Sequence, residues 1–299
     1  MALAGLFVYP PACRFDADNR GYASGATVQI LLFAVLAVRI KLWAPEAHTM
    51  LEIVRTRYGK GVHLVYFVFA IMTNILVTSM LLTGPFTPDW SFTVGGATVV
   101  NALTGLPSPV TCFILPIGVV FYTTFGGIKA TFLTDYVHTV IILIIIMVFS
   151  LTVYATSDKL GSPRAVYDLL QQAAQQQPVE GNTAGSYLTM HSYGGVIFFV
   201  INIVGNFGTV FCDAGYYQKA ISAEAASALS GYVLGGLAWF AIPWLCATTM
   251  GLAAVVLQTD PAFPTYPNSL SDAEISAGLV LPYAAVTLLG TGGAVASLL

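Results

Sequence analysis

Apolar residues run along this chain in long unbroken stretches. They show neither the alternation of strands nor the one-sided stripes of soluble helices. Seven stretches are long enough to cross about 30 Å of hydrocarbon at about 1.5 Å per residue. They cover 24–44, 61–84, 109–126, 131–156, 193–219, 225–257 and 276–299. Barrel strands show alternation over about ten residues, whereas these runs are apolar on every face, so each predicts a helix. Between them lie a segment at 45–60, a Gly126-Gly127 link with almost no loop, and a polar stretch at 157–192 containing QQAAQQQ, which reads as a loop. The pattern predicts an all-α polytopic membrane protein with about seven transmembrane helices.

Composition agrees and removes whole classes of function. Only 25 of the 299 residues carry formal charge, 8% against roughly 25% in an average soluble chain. With 57% hydrophobic residues and a mean hydropathy of +0.78, a soluble particle could not cover itself with polar groups, so membrane lipid is the expected outer solvent. A net charge of −3 and a pI near 5.7 leave no basic footprint for nucleic acid. Cys13, Cys112, Cys212 and Cys246 lack metal-ligand spacing, as do His48, His63, His138 and His191. No nucleophile–base, HExxH or phosphate-loop string occurs, and neither an enzyme nor a metal or other cofactor is expected.

Orientation follows from the cations. One arrangement collects Arg39, Lys41, Arg55, Arg57, Lys60, Lys129 and Lys219 on one side, leaving Arg14, Arg20, Lys159 and Arg164 on the other. By the positive-inside rule the richer side is cytoplasmic. The N-terminus is then external and 157–192 becomes an external loop.

Polar groups inside apolar spans are costly unless paired or facing water. Asn202, Asn206, Thr209 and Asp213 follow one another at i, i+4, i+7 and i+11, which aligns them on one face of a helix beside Gly205 and Gly208. Such a stripe serves either to hydrogen-bond a neighbouring helix or to line a binding site. The small-residue run YASGAT at 22–27 opens the first span and reads as close packing.

The segments HTMLEIVRTRYG at 48–59, FGGIKATFLTDYVHTVI at 125–141 and GNFGTVFCDAGYYQKAI at 205–221 resemble stretches of the sodium:solute symporter family. YASGATVQILLFAVLA and GNFGTVFCDAGYYQKA are similar more narrowly to its urea-transporting branch in fungi and plants. The likeness covers 21–299, with 1–20 as a non-matching segment. It implies a core of two inverted repeats, with solute and ion bound near the midplane between discontinuous helices. It further implies that this chain holds core helices two to seven and most of eight, an incomplete core unable by itself to perform coupled transport.

On that resemblance the 193–219 span is the helix broken at the solute site, with the break expected near Gly205–Gly208. Urea is small, planar and neutral, so uncharged amide and hydroxyl partners suit it. Asn206 and Thr209 are its expected ligands, with Asn202 a turn outward. Tyr22 and Ala26 would face them across an open groove. Asp213 is expected to carry a proton or to gate with a cytoplasmic cation, and Thr49 to lie near the inner exit. The implied function is secondary active transport of urea and related small amides or amines across the plasma membrane, coupled to H+ or Na+. The alternative is a non-transporting truncated paralogue acting as sensor or regulator.

Overall fold

The computed structural model describes residues 17–83, 95–189, 191–271, 274–275 and 277–298. The segment carrying Arg14 and the 84–94 stretch carrying Asp89 lie outside them. Among the described residues all regular structure is helical, apart from one isolated bridge between Asn182 and Ser192. The helices are α1 (Ala17–Trp43), α2 (Met50–Thr83), α3 (Gly95–Thr104), α4 (Ser108–Leu151), α5 (Pro163–Gln176), α6 (Tyr193–Cys212), α7 (Ala214–Ser222), α8 (Ala225–Cys246), α9 (Leu252–Leu257), α10 (Val280–Leu289) and α11 (Thr291–Leu298). Single π-helical turns, Thr152–Thr156 and Ala247–Gly251, follow α4 and α8.

Five helical stretches among the described residues are long and apolar enough to cross a membrane: Ala23–Trp43, Met50–Ser79, Ser108–Thr156, Tyr193–Cys212 and Ala226–Leu257. The chain is thus a multi-pass, all-α membrane protein. The difference from seven predicted spans has a backbone cause. The 109–126 and 131–156 runs are two helices that meet directly at Gly127, whose φ of 56° and ψ of −149° suit a residue without a Cβ, so that they count together as α4. The 276–299 run is divided at Gly290 into α10 and α11, of 10 and 8 residues. The 45–60 segment is also more ordered than expected. It holds the first turns of α2, which break at Gly59, and His63 Nδ1 beyond the break donates to the Leu51 carbonyl at 2.9 Å.

The chain forms two compact units. In the first, which holds the described residues within 80–195 and 242–298, a core of Ile146, Phe149, Val153, Met250, Leu257, Ala284 and Ala285 joins the end of α4 to α9 and α10. Tyr154 and Thr248, one in each π-helical turn, are linked by a hydrogen bond from the phenol to the Thr248 carbonyl at 2.9 Å. The predicted 157–192 loop contains a complete helix. Ser162 Oγ accepts from the Ala165 N–H at 3.1 Å, Pro163 starts α5, and Val166 and Leu170 are buried on its inner face. Lys159 Nζ lies 2.7 Å from Asp260 Oδ2.

The second unit holds 21–79 and 196–241. One face of α1 organises it, at four-residue spacing. Gly25 lies against α6, so close that an added Cβ would sit 2.8 Å from Asn202 Cβ and 3.0 Å from the Phe199 carbonyl oxygen. Gln29 follows, wholly buried. Phe33 then packs edge-on against Phe211, Tyr216 and Tyr217, with ring centroids 5.6, 5.7 and 5.0 Å away. Ala37 is fully buried, and Lys41 donates to the Ile221 carbonyl at the end of α7. Tyr232 of α8 closes the aromatic cluster and donates to the Tyr216 carbonyl at 2.8 Å.

Two outcomes are expected. Gly25→Val forces α1 and α6 apart and costs about 1–3 kcal/mol, whereas Gly205→Ala, where an added Cβ meets nothing within 4 Å, is neutral or mildly stabilising; thermal unfolding in detergent measures both. Separately, the hydrogen bond from Lys159 holds the Asp260 carboxyl below its ordinary value of 3.8, helped by the Ala262 N–H. A lowered folded-state value means that this contact contributes fully above about pH 3.8 and is lost as pH falls below it. Hydrogen exchange around 257–263 should rise over that acid range, and Asp260→Asn should show the faster exchange already at neutral pH.

Candidate functional site

All seven residues singled out from the sequence fall in the second unit, on α1, α6 or the ends of α2 and α7. The structure separates their roles. Asn202 is 4% exposed, on the side of α6 that meets α1 at Gly25. Ala26 is 6% exposed, buried on α1 three residues before Gln29. Asn206 and Thr209 lie in α6, four and seven residues beyond Asn202. Their side chains, like that of Tyr22, lie outside the described ones.

The expected break in this span is displaced. α6 runs without interruption through Gly205 and Gly208 to Cys212, and the helix ends only at Asp213. Asp213 has extended backbone angles, φ −76° and ψ 118°, and its Oδ1 accepts from the Gly215 N–H at 2.7 Å, which starts α7 afresh. A glycine permits a break but does not require one. A carboxylate that can satisfy orphan N–H groups at a new helix start supplies a reason for it. Asp213 is therefore the N-cap of α7 as well as the carboxylate at the discontinuity.

Thr49 is likewise a cap. Its exposed Oγ1 accepts from the Glu52 N–H at 3.3 Å, while Glu52 Oε2 accepts from the His48 N–H at 2.9 Å, a reciprocal arrangement that begins α2.

The residue that the sequence reading passed over is Gln29. Its Nε2 donates to the Gly25 carbonyl at 3.0 Å within α1 and to the Asn202 carbonyl at 2.7 Å on α6. Its Oε1 is buried and has no hydrogen-bond partner. Because neither carbonyl can donate, the network fixes the amide with nitrogen toward both and oxygen at the free end. The signal was present in the sequence: a lone amide in the apolar run TVQILLF.

The arrangement is a helix pair in close contact, bridged by an uncharged amide, with a helix discontinuity eleven residues beyond the bridge on α6. The model of the sodium:solute symporter family matches residues 15–294. This chain belongs to the sodium:solute symporter family. Among curated relatives, this family member is 60% identical over 278 residues to the protein named Probable urea active transporter 1 of Schizosaccharomyces pombe, which covers 93% of this chain and 40% of that protein. It is 56% identical to the urea active transporter of Saccharomyces cerevisiae, over 93% of this chain and 36% of the relative. To the urea-proton symporter DUR3 of Oryza sativa subsp. japonica the identity is 48%, over 92% and 37%. The chain thus spans about two fifths of the length of the curated relatives it matches. No solved structure matches it.

The capping role of Asp213 makes a separable prediction. Asp213→Ala should cost about 0.5–2 kcal/mol through the lost cap, whereas Asp213→Asn, an equally good cap, should cost only a few tenths. Thermal unfolding of the two variants in detergent checks this.

Proposed function

We propose that this symporter-family chain forms part of a secondary active transporter that carries urea across the plasma membrane, coupled to protons. The observation that carries the reading is identity of 48–60% over more than nine tenths of the chain to proteins named as urea transporters, one of them a urea-proton symporter. The chemistry of the second unit supports it. The residues around the α1–α6 contact are amides, hydroxyls and small apolar groups, which suit a neutral planar solute better than an ion. Asn202, Asn206 and Thr209 on α6, with Tyr22 and Ala26 on α1, are the proposed solute-facing set. Thr49 is proposed to lie near the cytoplasmic exit.

Asp213 is the proposed coupling or gating carboxylate. It sits at the discontinuity between α6 and α7, where a change of charge would alter both the cap and the junction. In this reading the N-terminus is external, and the exposed apolar faces of α2 and α4, including Phe69, Ile75, Phe113 and Phe125, meet lipid or other helices.

The test uses labelled urea in Saccharomyces cerevisiae cells lacking their own urea active transporter. The chain is expressed by itself and in place of the matching stretch of that relative. Accumulation above equilibrium that collapses with the proton gradient is expected from the replacement protein, and Asp213→Asn in it should lower uptake at least about tenfold if the carboxylate carries the proton. Accumulation that follows a sodium gradient instead would reassign the ion. Absence of urea accumulation in both forms, with the protein at the cell surface, would count against the cargo.

A further inference from the structure

Gln29 presents a polar atom without a use. Its side chain is 0% exposed, one N–H group donates within α1 to Gly25 and the other across to Asn202 of α6, and Oε1 has no partner. A buried carbonyl acceptor left unpaired is unfavourable, the more so where hydrocarbon surrounds the helices. Helix bridging alone does not account for it, since an N–H group already makes the bridge. The same unit contains a buried polar atom of opposite sense, Nε1 of Trp239 on α8, also without a partner. α8 meets α1 at Gly236, where an added Cβ would lie 3.1 Å from Leu31 and 3.4 Å from Ile30, the residues that follow Gln29. Trp239 stands three residues beyond Gly236, on the same face of α8. One unpaired acceptor and one unpaired donor are the complement of an amide.

We infer that Gln29 is a solute-recognising residue whose Oε1 accepts an N–H of a small neutral amide, and that it distinguishes a solute with an amino group beside its carbonyl from one of the same shape that has none. This rests on the proposed urea cargo and deepens it. Urea carries two NH2 groups. Acetone has nearly the same planar shape with methyl groups in place of both. Bound acetone would leave Oε1 unpaired, and rejection of an analogue that lacks a required donor is stronger than rejection by size. In this proposal Trp239 Nε1 donates to the solute carbonyl. Because Oε1 is enclosed, solute reaches it only when the contact between α1 and α6 opens, as a moving repeat in this family of folds allows.

The experiment measures binding of labelled urea to the chain reconstituted in lipid nanodiscs, with displacement by unlabelled urea and by acetone. The native chain should favour urea by about tenfold or more. Gln29→Met, of similar length but without an acceptor, should shrink that preference to within about twofold while the amount of folded chain is unchanged. Gln29→Glu, which is protonated when buried and keeps Oε1 as an acceptor, should retain the preference. If Gln29→Met does not fold, Gln29→Glu decides: loss of preference there overturns the acceptor role. An unchanged preference in folded Gln29→Met overturns the inference and leaves the urea reading standing. Failure of the native chain to retain urea, while the replacement protein accumulates it, overturns the inference alone; failure of both overturns the urea reading with it.

Discussion

A single hydrogen bond from one uncharged side chain ties α1 to α6 where the two helices lie closest in the second unit. Gln29 and Asn202 are separated by 173 positions, yet the Gln29 amide reaches the Asn202 carbonyl at 2.7 Å because Gly25, one turn earlier, lets α1 lie against α6 without a Cβ between them. The amide is tolerated among apolar neighbours because its N–H groups have acceptors, and the helices stay close because the amide spans them. From there the same face of α1 continues through Phe33 and Ala37 to Lys41, so the aromatic cluster and the link to α7 extend one contact line. A neutral bridge suits this position. A buried ion pair would carry a desolvation penalty that two amide hydrogen bonds avoid.

That bridge and the break at Asp213 divide two requirements along a single segment. α6 needs to be rigid where it packs on α1, and its continuous helix through Gly205 and Gly208 provides this. The chain then changes character at Asp213, where the carboxylate starts a new helix. In the proposed reading, solute recognition and ion response fall on successive parts of one span. A change at the discontinuity can reach the α1 contact through helix geometry alone, without a charged group in the apolar region.

The membrane class, the positions of most spans and the family were legible in the sequence, because each rests on composition, on run length or on local strings. Thr49 as a cap was visible in T-M-L-E by the same local logic. α5 was misjudged as loop although Val166, Leu169, Leu170 and Ala173 recur at helical spacing; the glutamine run beside them masked the stripe. The break was placed at the glycines because they permit it, whereas Asp213 has the hydrogen-bonding group that makes it favourable. Gln29 escaped notice for a different reason. A lone amide in a span acquires meaning only from its partner, and that partner is a main-chain carbonyl far away in sequence, which no side-chain pattern reveals.

The central claim is that the α1–α6 contact around Gln29 receives the solute. Magic-angle-spinning NMR on the chain in lipid, with 15N-labelled urea and 13C-labelled glutamine, measures it directly through the dipolar coupling between urea nitrogen and the glutamine side-chain carbonyl. A contact within about 4 Å of Gln29 Cδ, lost in Gln29→Met, is the predicted result. Urea held by the chain with no coupling to Gln29 would contradict it.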